Sequence, residues 1–120
     1  MISEQYPGLW LEHVYDSVFY ALMDRKKLHL AENTISLFID NQKEDGQLPY
    51  NVIDTGRIPD AAPVGYGQLQ ECVSFARLAF IVYTMNDDKI FLKRAYEAAE
   101  KWVGWLRKNR MTRELGLVEV

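Results

Sequence analysis

Apolar residues recur along this chain with the period of helices, in four stretches. From Trp10 to Asp24, the residues Leu11, Val14, Tyr15, Val18, Phe19 and Leu22 follow the i, i+3, i+4, i+7 spacing of an amphipathic helix. From Leu28 to Gln42 the polar positions instead form the stripe: His29, Glu32, Asn33, Ser36 and Asp40, with mostly apolar residues between. The stretch from Gln68 to Thr84 is apolar almost all round. Gln70, Ser74 and Arg77 make only a narrow polar strip, which predicts a helix buried on most sides. From Lys89 to Asn109, Phe91, Leu92, Ala95, Tyr96, Ala99, Trp102, Val103 and Leu106 make one face, and Lys93, Arg94, Glu97, Glu100 and Lys101 the other. Asn86, Asp87 or Asp88 can cap the first amides of this helix, and Arg107 and Lys108 suit its C-terminal dipole.

Strict alternation is absent, so the pattern predicts no strand. The stretch from Lys43 to Gly67 reads as one long loop, with Gly46, Gly56, Gly65 and Gly67 interspersed with Pro49, Pro59 and Pro63. Loops of that length inside a compact domain are uncommon and often functional. The second helical stretch overlays the fourth at a fixed shift: Leu28 on Leu92, Ala31 on Ala95, Phe38 on Trp102, Ile39 on Val103. Two copies of a helix pair are expected, the first and third helices inner and the second and fourth outer. The expected fold class is therefore all-α, two antiparallel helical hairpins forming a single helical unit.

Composition narrows the function classes. The chain has 120 residues, 48% hydrophobic and 26% charged, with a net charge of -3. That is one domain's worth of ordinary globular sequence, able to bury roughly two-thirds of its unfolded surface. The 14 basic residues against 17 acidic give no positive excess for nucleic acid. No targeting segment is visible, and no apolar run approaches the ~20 residues of a membrane span, so a soluble, cytoplasmic protein is expected. The single Cys72 excludes a disulfide framework and reads as a buried, unreactive thiol. His13 and His29 lack metal-ligand spacing, and no metal or cofactor is expected. No nucleophile elbow, phosphate-binding loop or dinucleotide fingerprint is present.

The residues with chemical potential lie at the starts of the inner helices. Asp16 follows Tyr15 in the first; Gln68, Gln70 and Glu71 open the third, directly after the long loop. Charge at a helix start has a simple structural use in offsetting the dipole. Tyr6, Trp10, Tyr15, Tyr50 and Tyr66 fall nearby. Aromatic faces with a polar edge suit both sugar rings and ordinary core packing.

Several ordered stretches resemble a known family. They are Gly65-Tyr66-Gly67-Gln68-Leu69-Gln70-Glu71-Cys72-Val73-Ser74-Phe75-Ala76-Arg77; Asn41-Gln42 followed by Asp45-Gly46-Gln47-Leu48-Pro49-Tyr50; Asp88-Lys89 through Trp105-Leu106; and Arg110-Met111-Thr112-Arg113 leading to Gly116-Leu117-Val118-Glu119. The set resembles the first part of bacterial six-hairpin glycosidases, a group that includes trehalases, mannosylglycerate hydrolases and mannosyl-oligosaccharide glucosidases. The resemblance implies an (α/α)6 toroid, of which this chain would supply the first third. It also implies inverting hydrolysis of α-linked sugars by two carboxylates. Neither catalytic position is matched, so no catalytic role carries over. What the resemblance implies for this chain is a sugar-binding wall: Tyr66, Gln68, Gln70 and Glu71, then Asp16 with Tyr15, then Tyr50. The implied partners are a carbohydrate ligand and either the remainder of the barrel or further copies of the chain. Two competing expectations stand beside it: a non-enzymatic helical scaffold or self-associating module, and a small enzyme using Asp16 and Glu71.

Overall fold

The computed structural model describes residues 8–53, 62–112, 116 and 118; of Glu71 it describes the backbone but not the side chain. Tyr6, Gly56, Pro59, Arg113, Leu117 and Glu119 lie outside the described residues. The chain is predominantly helical, with a small antiparallel sheet. In order, it forms β1 (Gly8–Trp10), a 3-10 turn (Leu11–His13), α1 (Val14–Met23), a second 3-10 turn (Arg25–Lys27), α2 (Leu28–Asp40), β2 (Asn51–Ile53), β3 (Val64–Gly65), α3 (Leu69–Cys72), α4 (Phe75–Asn86) and α5 (Lys89–Asn109).

Successive helices pack in pairs, α1 on α2 and α4 on α5, and the pairs meet where α4 lies against α1 and α2. Each helix buries a stripe of helical period: Val14, Val18 and Ala21; Ala31, Ile35 and Phe38; Phe75, Leu78 and Val82; Phe91, Ala95, Ala98 and Trp102. These stripes form one core, completed by Leu11, Leu48, Leu69 and Cys72. α5 has the bounds predicted for the fourth helix, but Tyr96 and Val103 of its predicted apolar face are exposed, while Ala98 and Trp105 are buried. Asp88 caps it, its carboxylate accepting from the amides of Ile90 at 2.8 Å and Phe91 at 3.2 Å. Asp87 instead ends α4 in the left-handed region at φ 50°.

Four expectations are corrected. The fold is not purely α: β1, β2 and β3 form a three-stranded antiparallel sheet, two of them inside the stretch read as a loop. Strands this short leave no alternation to detect; the pairing is what defines them. The third helix is not continuous but turns at Val73 and Ser74 between α3 and α4. Nor is it buried on most sides: Val73 is 75% exposed and Phe80 60%. In α1, Phe19 and Leu22 lie outside the buried stripe, and Ala21 lies within it.

The turn between α2 and β2 is clamped onto α5. The Gln42 amide donates to the carbonyls of Gly46 at 2.8 Å and Ala98 at 2.9 Å. The Trp105 indole donates to the Asp45 carboxylate at 3.1 Å. Gly46 adopts φ +101° with its Cα facing the Lys101 backbone, where any Cβ would overlap the carbonyl group. Glycine is therefore required on two counts, conformation and space.

Candidate functional site

The sheet fixes the register of the segments that lead into α1 and α3. Its register pairs Trp10 with Asn51, and Asn51 with Gly65. The Leu11 amide donates to the Tyr50 carbonyl at 2.8 Å, and the Tyr50 amide to the Gly65 carbonyl at 2.9 Å. β1 and β3 thus run in the same direction on either side of β2, about two strand spacings apart. β1 runs into the turn that starts α1, β3 leads to α3, and α3 packs against the 3-10 turn before α1. Trp10 thus directly precedes the turn into α1, and Tyr66 and Gln68 lie in the segment between β3 and α3.

Each predicted residue has a definite setting. Tyr50 is half-buried and packs on the core; the Gly65 Cα lies so close that a Cβ there would overlap the Tyr50 ring and the Asn51 side chain. Tyr66 is half-buried, its hydroxyl donating to the Asn41 carbonyl at 2.6 Å. The Lys43 ammonium stands 4.2 Å from the Tyr66 ring centroid, a cation–π contact that covers one face of the ring. Burial holds the Tyr66 phenol above its usual pKa. Gln68 is exposed at the start of α3. Tyr15 is half-buried against the core and stacks on Phe19, with ring centroids 6.5 Å apart.

Two residues point elsewhere. Asp16 is exposed on the α1 stripe that also carries Phe19, Tyr20 and Met23. Gln70 lines an apolar cleft of about 230 Å³ with Leu69, Val73, Trp102, Leu106 and Val118. That cleft lies between α3 and the last turns of α5, and its walls offer almost nothing for sugar hydroxyls to bond. The reading that joins Asp16 to Glu71 as a catalytic pair gains no geometry, since the Glu71 side chain lies outside the described part of the structure.

Sequence reasoning missed Asn51. Its side chain is buried at 6% exposure, and among the described residues its Oδ1 accepts no hydrogen bond. A buried amide oxygen left without a donor costs about 1–3 kcal/mol. Nothing in the pattern marks it, because its burial depends on β1 and β3 pairing to either side.

His13 lies 3.3 Å from Glu12, both exposed, and His29 Nδ1 lies 2.9 Å from the Lys26 carbonyl. Among the described residues no three His, Cys, Asp or Glu side chains gather as a metal site. Cys72 is buried, its thiol 3.6 Å from the Pro49 carbonyl. No described helix is long and apolar enough to cross a membrane. No protein-family model matches the chain, and neither a curated protein nor a solved structure does.

Proposed function

We propose that this chain is a carbohydrate-recognising helical unit, equivalent to the first third of an (α/α)6 toroid of the six-hairpin glycosidase kind. It contributes the wall of a sugar site and not the catalytic carboxylates. The observation that carries this reading is the sheet. Its register levels Trp10 with Asn51 and Gly65, so that Trp10 and Tyr50 lie at neighbouring strands and Tyr66 follows on the third, two residues before Gln68. Flat apolar faces next to an amide are what a sugar's CH face and hydroxyl rim require. The substrate class itself comes from the ordered motifs around Asp45–Tyr50 and Gly65–Arg77. Tyr66 serves here as a wall held in place by Asn41 and Lys43, and Gln68 as the hydrogen-bonding group.

The test is a titration of the isotopically labelled chain with trehalose and other α-linked glucose and mannose disaccharides, following the Trp10 indole and Gln68 amide signals. A wall without the rest of its barrel is expected to bind with a Kd on the order of millimolar, and Gln68→Ala is expected to weaken that binding. Shifts at neither group with any disaccharide would overturn the reading. A helical scaffold without sugar affinity would then take its place, a reading favoured by the large apolar groups that α1 and α4 leave in water.

A further inference from the structure

Two tryptophans stack on α5, and one of them lacks a hydrogen bond. The rings of Trp102 and Trp105 lie 5.4 Å apart between centroids and 12° from parallel. Trp105 donates its indole N–H to the Asp45 carboxylate at 3.1 Å. Trp102 is only 5% exposed, yet among the described residues its indole N–H meets no acceptor. Buried indole N–H groups ordinarily find a partner. Nor is this nitrogen sealed off: among the described residues, Asn51 Oδ1 is the side-chain polar atom that is both closed from solvent and unpartnered. The Trp102 N–H therefore borders open space.

Trp102 lines the cleft of about 230 Å³ between α3 and the last turns of α5. Leu69, at 4% exposure, and Trp102 are its deepest residues, and the exposed Val73, Val118 and Gln70 stand at its rim. No charged side chain lines it. An ionised ligand would lose water there without gaining a counter-charge, so the occupant is uncharged. An apolar cavity of about 150 Å³ stays dry and takes up benzene. This cleft is about half as large again, room for two fused rings. A stable protein interface takes roughly 20–30 residues a side, whereas the cleft is lined by Leu69, Gln70, Val73, Trp102, Leu106 and Val118 alone. Its scale is that of a small molecule.

We infer that this cleft binds a small, uncharged aromatic molecule of one or two rings that carries a hydrogen-bond acceptor. The rings lie against Leu69, Leu106 and Trp102, and the acceptor takes the Trp102 N–H that nothing else uses. The methyl-bearing walls supply the apolar contact, and the single donor fixes the orientation of the ligand. The inference is independent of the sugar reading, since this cleft is separate from Tyr50 and Tyr66, and either site can fail without the other.

The experiment titrates the isotopically labelled full chain with quinoline, two fused rings bearing one acceptor nitrogen, at neutral pH where it is uncharged. Saturable shifts are expected at the Trp102 indole N–H and at the Leu69 and Leu106 methyl groups, with a Kd on the order of 1 mM for a molecule of about ten heavy atoms. The Trp105 indole, already bonded to Asp45, is expected to move less. Naphthalene has the same shape without the nitrogen and is expected to bind about fivefold more weakly, the net worth of one hydrogen bond. Val73→Phe places a ring at the rim and is expected to weaken quinoline binding about tenfold, because the ligand's space is then filled. Circular dichroism checks that this variant is folded; if it is not, nuclear Overhauser contacts from quinoline protons to the Leu69 and Leu106 methyl groups of the wild type take its place, and their absence overturns the site. No saturable shift at Trp102 overturns the inference and leaves the cleft to a side chain of another protein. Naphthalene bound as tightly as quinoline overturns the acceptor, and binding unchanged in folded Val73→Phe overturns the site.

Discussion

Gly46→Ala separates the cost of a backbone conformation from the cost of a lost clamp. At φ +101° an L-residue is strained, which costs about 1–2 kcal/mol. The new methyl would also lie 2.8 Å from the Lys101 carbonyl carbon and closer still to its oxygen. Backbone cannot rotate away as a side chain can, so the turn must lift from α5. Lifting breaks the bond from Gln42 to the Ala98 carbonyl and the bond from Trp105 to Asp45. These contribute about 1 kcal/mol for the neutral bond and about 1.5–3 kcal/mol for the charged one when fully formed. The expected total is about 3.5–6 kcal/mol, a large share of the roughly 5–15 kcal/mol that holds a typical domain.

Two other glycines provide the controls. Gly67 has φ +117° but open space around it, so Gly67→Ala carries only the conformational cost, about 1–2 kcal/mol. Gly104 lies inside α5 with open space where a Cβ would sit, so Gly104→Ala is expected to stabilise by about 0.5–1 kcal/mol. Urea unfolding followed by far-ultraviolet circular dichroism measures all three, provided the slope with denaturant stays constant. The ordering Gly46→Ala worst, Gly67→Ala intermediate, Gly104→Ala better than wild type is the prediction. A Gly46→Ala loss no greater than that of Gly67→Ala would refute the claim that the turn is clamped against Lys101.

Other outcomes follow from single contacts. Asp88→Ala removes the side-chain cap of α5 and is expected to cost about 1 kcal/mol in the same unfolding assay, whereas Asp87→Ala, at a residue whose carboxylate caps no α5 amide, is not expected to lose that term. Tyr66→Phe removes the bond to the Asn41 carbonyl, about 1 kcal/mol at neutral pH. The same variant tests the phenol's titration. Because the folded Tyr66 pKa is raised above the unfolded value of 10.0, its stabilising effect is complete below pH 10 and is lost as pH rises through the folded pKa. Stability measured upward from pH 9 should fall less in Tyr66→Phe than in wild type. Part of the fall remains, because Tyr96 is also held above its usual pKa by its hydrogen bond to Glu100.

Parts of the candidate site were legible in sequence because they follow from chain proximity. Gln68 sits at a helix start wherever that helix goes, and Tyr66 lies two residues before it. That Tyr50 stands beside them is a property of the β2–β3 pairing, which no local pattern announces. Gln70, two residues beyond Gln68, turns to a different cleft, and Asp16 turns away from Tyr15. On a helix, successive residues diverge by about 100°, so a single turn decides between a site and the opposite surface. Asn51 was invisible for the converse reason: an asparagine in a loop-like stretch ordinarily faces water, and only the strands on either side exclude it.

The sequence alone determined the helices whose period and caps agree. α5 is the plainest case, with one apolar face, a charged opposite face and Asp88 at its start; the paired arrangement of helices and the burial of Cys72 were legible for similar reasons. The tertiary structure alone decided the sheet, the turn at Val73 and Ser74, and which apolar residues remain in water. Helical hydrogen bonds close within four residues, so local sequence carries their signal. Strand pairing joins Trp10 to Asn51 across 40 positions, and burial depends on which neighbours arrive. Leu78 and Phe80 are both apolar residues of one helix, yet one is in the core and the other faces solvent, because α1 and α2 cover one side of α4 and nothing described covers the other.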